Sequence, residues 1–202
     1  MKVLIACEYS GTVRDAFIKR GHDAISCDLL PTDVPGPHYQ GDVLDILGEG
    51  WDLMVAHPPC TYLSTAGVGW FNEERYGEKA RERKRLRIEA LAFLRNLYDA
   101  PIARVAVENP VGFVSTMWRK PDQIIQPWHY GHEATKATCL WLKGLPKLTP
   151  TKIVGRGEFL VCKNGKRGAK WNWGLPPSKD RWKIRSKTFQ GIADAMAEQW
   201  SL

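Results

Sequence analysis

Four short runs suited to β-strands, residues 2–7, 22–28, 51–56 and 103–107, each stop at a carboxylate, a glycine turn or a proline, and stretches with helical apolar spacing lie between them. Few folds accept that alternation. Strands too short to cover themselves, separated by amphipathic helices, predict an α/β fold with a mostly parallel sheet and helices on both faces. Run 2–7 leads through Glu8-Tyr9-Ser10-Gly11 into a helix over 12–20 carrying Val13, Phe17 and Ile18 on one face, which Gly21 closes. Run 22–28 ends in Asp28. The Pro/Gly-rich stretch 31–41 reads as loop, and Asp42-Val43-Leu44-Asp45 opens a further short element. Strand 51–56 is stopped by His57-Pro58-Pro59, because proline cannot continue a ladder. A long helix follows over 72–99, with Leu86, Ala90, Phe93, Leu94 and Leu97 at helical spacing, and strand 103–107 is terminated by Glu108-Asn109-Pro110. Beyond residue 126 the pattern changes to strand-like pieces at 138–142 and 158–162, and an amphipathic helix over 189–200 ends the chain.

In parallel sheets, ligands sit beyond the carboxyl ends of the strands. Here those ends carry Glu8, Asp28, Asp42, Cys60 and Glu108, so the fold rule collects the most chemically able side chains on one rim. Five scattered cysteines (7, 27, 60, 139 and 162) form no CxxC pair and no zinc-like spacing, which argues against a metal site. Cys60 differs from the others in its setting. A thiol beyond a Pro-Pro turn is held out of the core on a stiff loop, where a nucleophile meets a substrate, and Glu108 on the neighbouring strand end is an acid/base partner for it. Each piece alone has a plain structural reading, since prolines end many strands and most buried cysteines are inert.

Charge adds a partner. Between Lys152 and Lys187 there are eleven Lys/Arg and two acids, a net of +9 against +7 for all 202 residues, so the rest of the chain is slightly acidic. A basic segment on a near-neutral body suits a polyanion; its alternative is a solvated surface loop. The cations on the long helix, Arg81, Arg83, Lys84, Arg85 and Arg87, are interleaved with Glu78, Glu82 and Glu89 and read as a solvated face. No apolar run approaches the length of a membrane span, and residues 1–8 lack a signal-peptide pattern, so a cytoplasmic protein with no membrane partner is expected. The length fits one domain, 1–202, with 145–187 as a basic, Trp-bearing region within it. Nothing in the sequence sets an oligomeric state.

Pro59-Cys60, followed by Thr61-Tyr62-Leu63-Ser64, and Glu108-Asn109 in the same order on the same predicted sheet resemble the nucleophile and Glu-Asn motifs of the cytosine-C5 DNA methyltransferase family. The resemblance runs over roughly residues 1–115 and is strongest to short methylase-like proteins of bacteriophages, which share the stretch Thr138-Cys139-Leu140-Trp141-Leu142-Lys143-Gly144 and an ending like Arg185-Ser186-Lys187-Thr188. It implies a Rossmann-like, S-adenosyl-L-methionine-dependent methyltransferase fold with a small basic β-rich insertion near the C-terminus, and host cytoplasm if the chain is phage-encoded. It implies DNA as partner and methyl transfer to cytosine C5, with Cys60 adding to C6, Glu108 protonating N3 and Asn109 orienting the Glu-bearing loop. Glu8, Tyr9, Ser10, Gly11, Asp28, Leu29, Asp42 and Pro59 are the implied cofactor contacts. Asp28 and Asp42 have alternative readings as cap or turn residues, and Leu29 as core. Ser64, Lys136, Lys166, Arg167, Lys170 and Arg185 are the candidate substrate contacts.

The departures matter equally. Only Gly11 survives of the family's glycine-rich turn, its Gln-x-Arg-x-Arg motif is missing with Lys136 as candidate substitute, and His57 replaces a usual glycine. His57 has three readings: base, phosphate contact or packed residue, of which packing is favoured. The family's separate recognition domain has no room, so short or relaxed sequence specificity is expected. Competing readings are the same chemistry on RNA or a free pyrimidine nucleotide, and a catalytically inactive nucleic-acid-binding relative.

Overall fold

A computed structural model describes residues 1–163 and 165–201. Strand β1 (Lys2–Ala6) shows how the layers arise. Its successive side chains alternate sides, Val3 and Ile5 joining one buried cluster and Leu4 and Ala6 the other. Strand β4 (Leu53–Ala56) repeats the split, with Leu53 and Val55 on one face and Met54 and Ala56 on the other. A strand apolar on both faces needs cover on both. Helices α1 (Thr12–Lys19) and α7 (Gln190–Gln199) supply it on the first face through Val13, Phe17, Ile192 and Met196. Helix α3 (Glu78–Asp99) supplies it on the second through Leu91, Leu94 and Leu97.

The sheet is completed by β2 (Asp23–Asp28), β3 (His38–Gln40), β5 (Arg104–Pro110), β6 (Gln123–Ile125) and β7 (Thr138–Lys143). Its order is β3-β2-β1-β4-β5-β7-β6, with β7 antiparallel to both neighbours and the remaining pairs parallel. This is the expected α/β, Rossmann-like architecture. The chain runs outward from β1 through β2 to β3 on one side and from β4 to β5 on the other. The topological switch point, where ligands enter such sheets, therefore lies between the ends of β1 and β4.

Several boundaries differ from the sequence reading. Stretch 31–41 contains β3, whose ladder to β2 pairs Ser26 with His38. The loop before it is gathered by the fully buried Arg14 of α1, whose guanidinium donates to the carbonyls of Val34 and Pro35, both at 3.3 Å, and to Thr32 Oγ1 at 3.2 Å. The helix expected over 72–99 is broken at Gly77, whose φ of 49° belongs to the left-handed region, leaving a single turn α2 (Glu73–Tyr76) before α3. Strand β5 does not stop before Glu108: antiparallel β7 pairs Glu108 with Leu140, Asn109 with Cys139 and Pro110 with Thr138. Helix α4 (Phe113–Met117) and β6 went unread. The basic insertion is less β-rich than expected. It holds one hairpin, β8 (Phe159–Val161) with β9 (Arg167–Ala169), and two short helices, α5 (Lys170–Trp173) and α6 (Arg181–Ser186).

Among the described residues no helix is long and apolar enough to cross a membrane.

Candidate active site

The loop that carries Cys60 leaves β4 under tight backbone control. His57 N–H donates to the Ala6 carbonyl at 2.9 Å, which ties this loop to the end of β1 across the switch point. Pro58 is buried, while Pro59 and Cys60 emerge on the surface. The chain turns back at once, because the N–H groups of Leu63 and Ser64 both donate to the Cys60 carbonyl (3.1 and 3.0 Å). Arg87 of α3 then holds the following segment by donating to the Tyr62 carbonyl at 3.0 Å. On the sheet side, the Asn109 amide donates to the Pro58 carbonyl at 2.8 Å. Asn109 thus braces the loop that carries Cys60, in place of the Glu-bearing loop the sequence reading gave it. Because β5 continues through it, that brace is as rigid as the sheet.

Glu108 lies one residue before this brace, and its Oε2 is 3.3 Å from His57 Nδ1. His57 is therefore more than the packed residue favoured from sequence. Burial pushes the Glu108 carboxyl up, yet His57, Lys136 and the Thr138 hydroxyl together hold it below the usual carboxylate range. Cys60 is shifted the other way: although the residue is exposed, partial desolvation by the surrounding loop and the charge of Glu108 raise the thiol, against the opposing cations Lys136 and Arg185. Lys136 is among the charges acting on both groups. Its ammonium donates to the carbonyls of Arg185 (3.1 Å) and Lys187 (3.3 Å), binding the end of α6 to the rim.

The other side of the switch point is divided. Glu8 is buried and its carboxylate is taken by α1, accepting from the N–H groups of Val13 (2.7 Å) and Arg14 (3.2 Å) and from the Ser10 hydroxyl (3.1 Å). It serves as a helix N-terminal cap, a use of the carboxylate that needs no cofactor. Gly11 starts that helix at φ 73°, and a Cβ there would meet the Arg14 guanidinium at 2.5 Å. Tyr9 turns to α6, its hydroxyl bonding the Ser186 hydroxyl at 2.9 Å. Asp28 and Asp42 each give one oxygen to a local turn, accepting from Leu30 N–H and Leu44 N–H respectively. Burial raises the Asp28 carboxyl above its ordinary range. Leu29 beside it is 73% exposed, so it is not core. Asp28 closes β2, Asp42 follows β3, and Leu29 leaves an apolar side chain open to solvent between them in the chain.

The substrate candidates scatter. Ser64 makes a bridge with Gly112, next to the Cys60 loop. Arg185 lies with Lys136 at the centre. Lys166 sits in the turn of the β8–β9 hairpin, Arg167 lies over the Phe159 ring at 5.1 Å, and Lys170 pairs with Glu158 at 2.5 Å. On α3 the cations behave as the charge pattern suggested only in part: Arg81 and Arg85 pair with glutamates, whereas Arg83 and Arg87 lie over the Phe71 ring. Sequence reasoning missed the α6 docking, in which Lys187 also pairs with Asp33 at 2.7 Å. No local signal marks that contact, since its partners are separated by most of the chain. Among the described residues, no three His, Cys, Asp or Glu side chains gather as metal ligands.

No protein-family model matches the chain, and no curated protein does. The solved structures similar to it include the following two. One is described as a candidate DNA modification methyltransferase encoded within a prophage of E. coli, at TM-score 0.48 and 14% identity, covering 77% of this chain and 52% of that one. The other is the Entamoeba histolytica methyltransferase EhMeth, at TM-score 0.47 and 12% identity, covering 76% of this chain and 57% of that one. The chain spans little more than half the length of either structure.

Proposed function

We propose that the chain is an S-adenosyl-L-methionine-dependent methyltransferase acting on C5 of cytosine in DNA. The observation that supports this reading is the placement of Cys60, on a loop braced by Asn109 beyond the end of β4, next to strand β5, which carries Glu108 with its carboxyl held below the usual range. The two groups are shifted in opposite directions, so in the free centre the thiol keeps its proton, and transfer to Glu108 has to accompany bond formation between sulfur and C6. As the Cys60 sulfur bonds to C6 of the ring, the S–H proton passes to Glu108 and from there to N3, leaving an enamine at C5 that is far more nucleophilic than cytosine itself. S-adenosyl-L-methionine, when bound, supplies an electrophilic methyl group. After transfer, a water molecule takes the C5 proton, the C6–S bond breaks, and the N3 proton returns through Glu108 to the departing sulfur, restoring the aromatic ring. Asp28, Leu29 and Asp42 would hold the adenosine end. The +9 segment supplies cations for phosphates, and Trp173 and Trp182, 40% and 49% exposed, offer aromatic faces to an extruded base.

A second reading, a nucleic-acid-binding relative without cofactor, is favoured by one observation: Glu8 and Tyr9 are committed to α1 and α6. Calorimetric titration with S-adenosyl-L-methionine separates the two, since absence of binding at high micromolar concentration would sink the enzyme. Trapping on DNA containing 5-fluorocytosine then tests the chemistry. The adduct should form with cofactor, map to Cys60 and vanish in Cys60→Ser; cofactor binding without any adduct refutes covalent catalysis on DNA. RNA and free nucleotides in the same trap test the substrate.

A further inference from the structure

We propose that His57 is the positioning residue of this centre: its Nδ1–H holds one oxygen of Glu108, so that the carboxylate is presented to the substrate base. The inference rests on the methyltransferase reading for its consequence in the reaction, but its geometric content is independent of it. Three observations carry it. The His57 backbone has little freedom, because its N–H is bonded to Ala6 at 2.9 Å and Pro58 follows immediately. Its Nδ1 is 3.3 Å from Glu108 Oε2, with the two side chains only 12% and 17% exposed. Its Nε2 is buried and has no hydrogen-bond partner among the described residues.

The last observation chooses the tautomer. A ring proton on Nε2 would be a buried donor without an acceptor, while the same proton on Nδ1 faces a carboxylate. The proton therefore belongs on Nδ1, and the bare Nε2 costs less than an orphaned N–H. Held by His57 and by the Thr138 hydroxyl, Glu108 cannot rotate freely about its terminal bond, so its carboxylate keeps a constant direction. Positioning of this kind matters because misplacement of a reacting group by about 1 Å costs on the order of 10²-fold in rate. The titratable and charged groups facing Glu108 are His57 from the end of β4, Cys60 from the loop, Lys136 ahead of β7 and Cys139 within β7, while Arg185 of α6 faces Cys60.

The pair His57→Asn and His57→Leu isolates the bond, because the two side chains are similar in size and only Asn keeps a donor near the Nδ1 position. The Glu108 carboxyl is titrated by 13C NMR in the free full-length chain, with no substrate present. The Leu variant should raise the Glu108 midpoint and the Asn variant should stay near the native value; identical midpoints in all three chains overturn the proposal. In the 5-fluorocytosine trap the Leu variant should be slower by about tenfold or more and the Asn variant within about threefold. A midpoint that moves while both variants trap at the native rate also overturns it. Should His57→Leu not fold, 15N NMR of the native imidazole decides, since an Nδ1 without a proton refutes the assignment. If native protein gives no adduct at all, the cytosine-C5 reading fails, and the carboxyl titration still reports whether His57 holds Glu108.

Discussion

Replacing Asn109 by Leu should separate stability from reactivity. Asn109 is 1% exposed, and its amide is the donor that satisfies the buried Pro58 carbonyl. Leaving that carbonyl unpaired costs about 1–3 kcal/mol. The same substitution removes a liability, because Asn109 Oδ1 is itself buried without a partner among the described residues, and deleting it returns on the order of 1 kcal/mol. The net loss of stability is therefore about 0–2 kcal/mol, small beside a whole fold worth roughly 5–15 kcal/mol. The effect on reactivity should be larger. With the brace gone, the Pro58-Pro59-Cys60 loop shifts relative to Glu108, and a displacement near 1 Å lowers the rate by about 10²-fold, equivalent to about 2.7 kcal/mol of barrier. Urea unfolding gives the first quantity, and the rate of Cys60 adduct formation on 5-fluorocytosine DNA the second. A variant that traps at the native rate would refute the bracing role. So would a variant losing more than about 3 kcal/mol of stability with a proportionate loss of folded protein, since the amide would then be holding the core and not the loop.

Alkylation of Cys60 by iodoacetamide, followed by peptide mass spectrometry, should be slow at neutral pH and accelerate only above the ordinary thiol range; Lys136→Met should slow it further, and faster alkylation than a free thiol at pH 7 would contradict the raised thiol. Glu108 has a depressed pKa in the fold, so its stabilisation is present above the unfolded carboxylate value and is lost as pH falls through the folded value. Acid denaturation of Glu108→Gln should accordingly be less steep in that window, and curves parallel to native would deny the shift. Gly112→Ala would place a Cβ 2.1 Å from the Leu63 carbonyl, forcing apart the bridge beside the Cys60 loop; a loss of about 1–3 kcal/mol in urea unfolding is expected, and none would mean the two segments are not in contact. Removing Lys166 and Arg167 together should reduce the slope of log K for DNA against log salt by about 2, whereas an unchanged slope places the phosphates elsewhere.

Much of the site was legible because it is punctuated locally. His57-Pro58-Pro59-Cys60 announces a stiff turn at a strand end, and Glu108-Asn109-Pro110 follows a second apolar run. Which neighbour each side chain meets was not legible. Glu8 looked like a cofactor residue because it follows β1, yet the N-terminus of α1 lies within reach and its unpaired N–H groups claim the carboxylate. Asn109 was assigned to its own loop, whereas β7 pairing extends β5 and turns its amide toward Pro58. Nothing in the sequence marks Arg14, and it is the buried hub of the loop before β3.

Apolar periodicity and chain-breaking residues by themselves determined the α/β layering and the rim on which chemistry collects, because both depend on spacing of a few residues. The tertiary structure alone decided how that rim is wired: His57 onto Glu108, Asn109 onto Pro58, and Lys136 onto the end of α6. These contacts join residues about fifty positions apart, and a hydrogen bond requires alignment to within tenths of an ångström. No local pattern carries that information, since it arises only when the sheet brings its strand ends together.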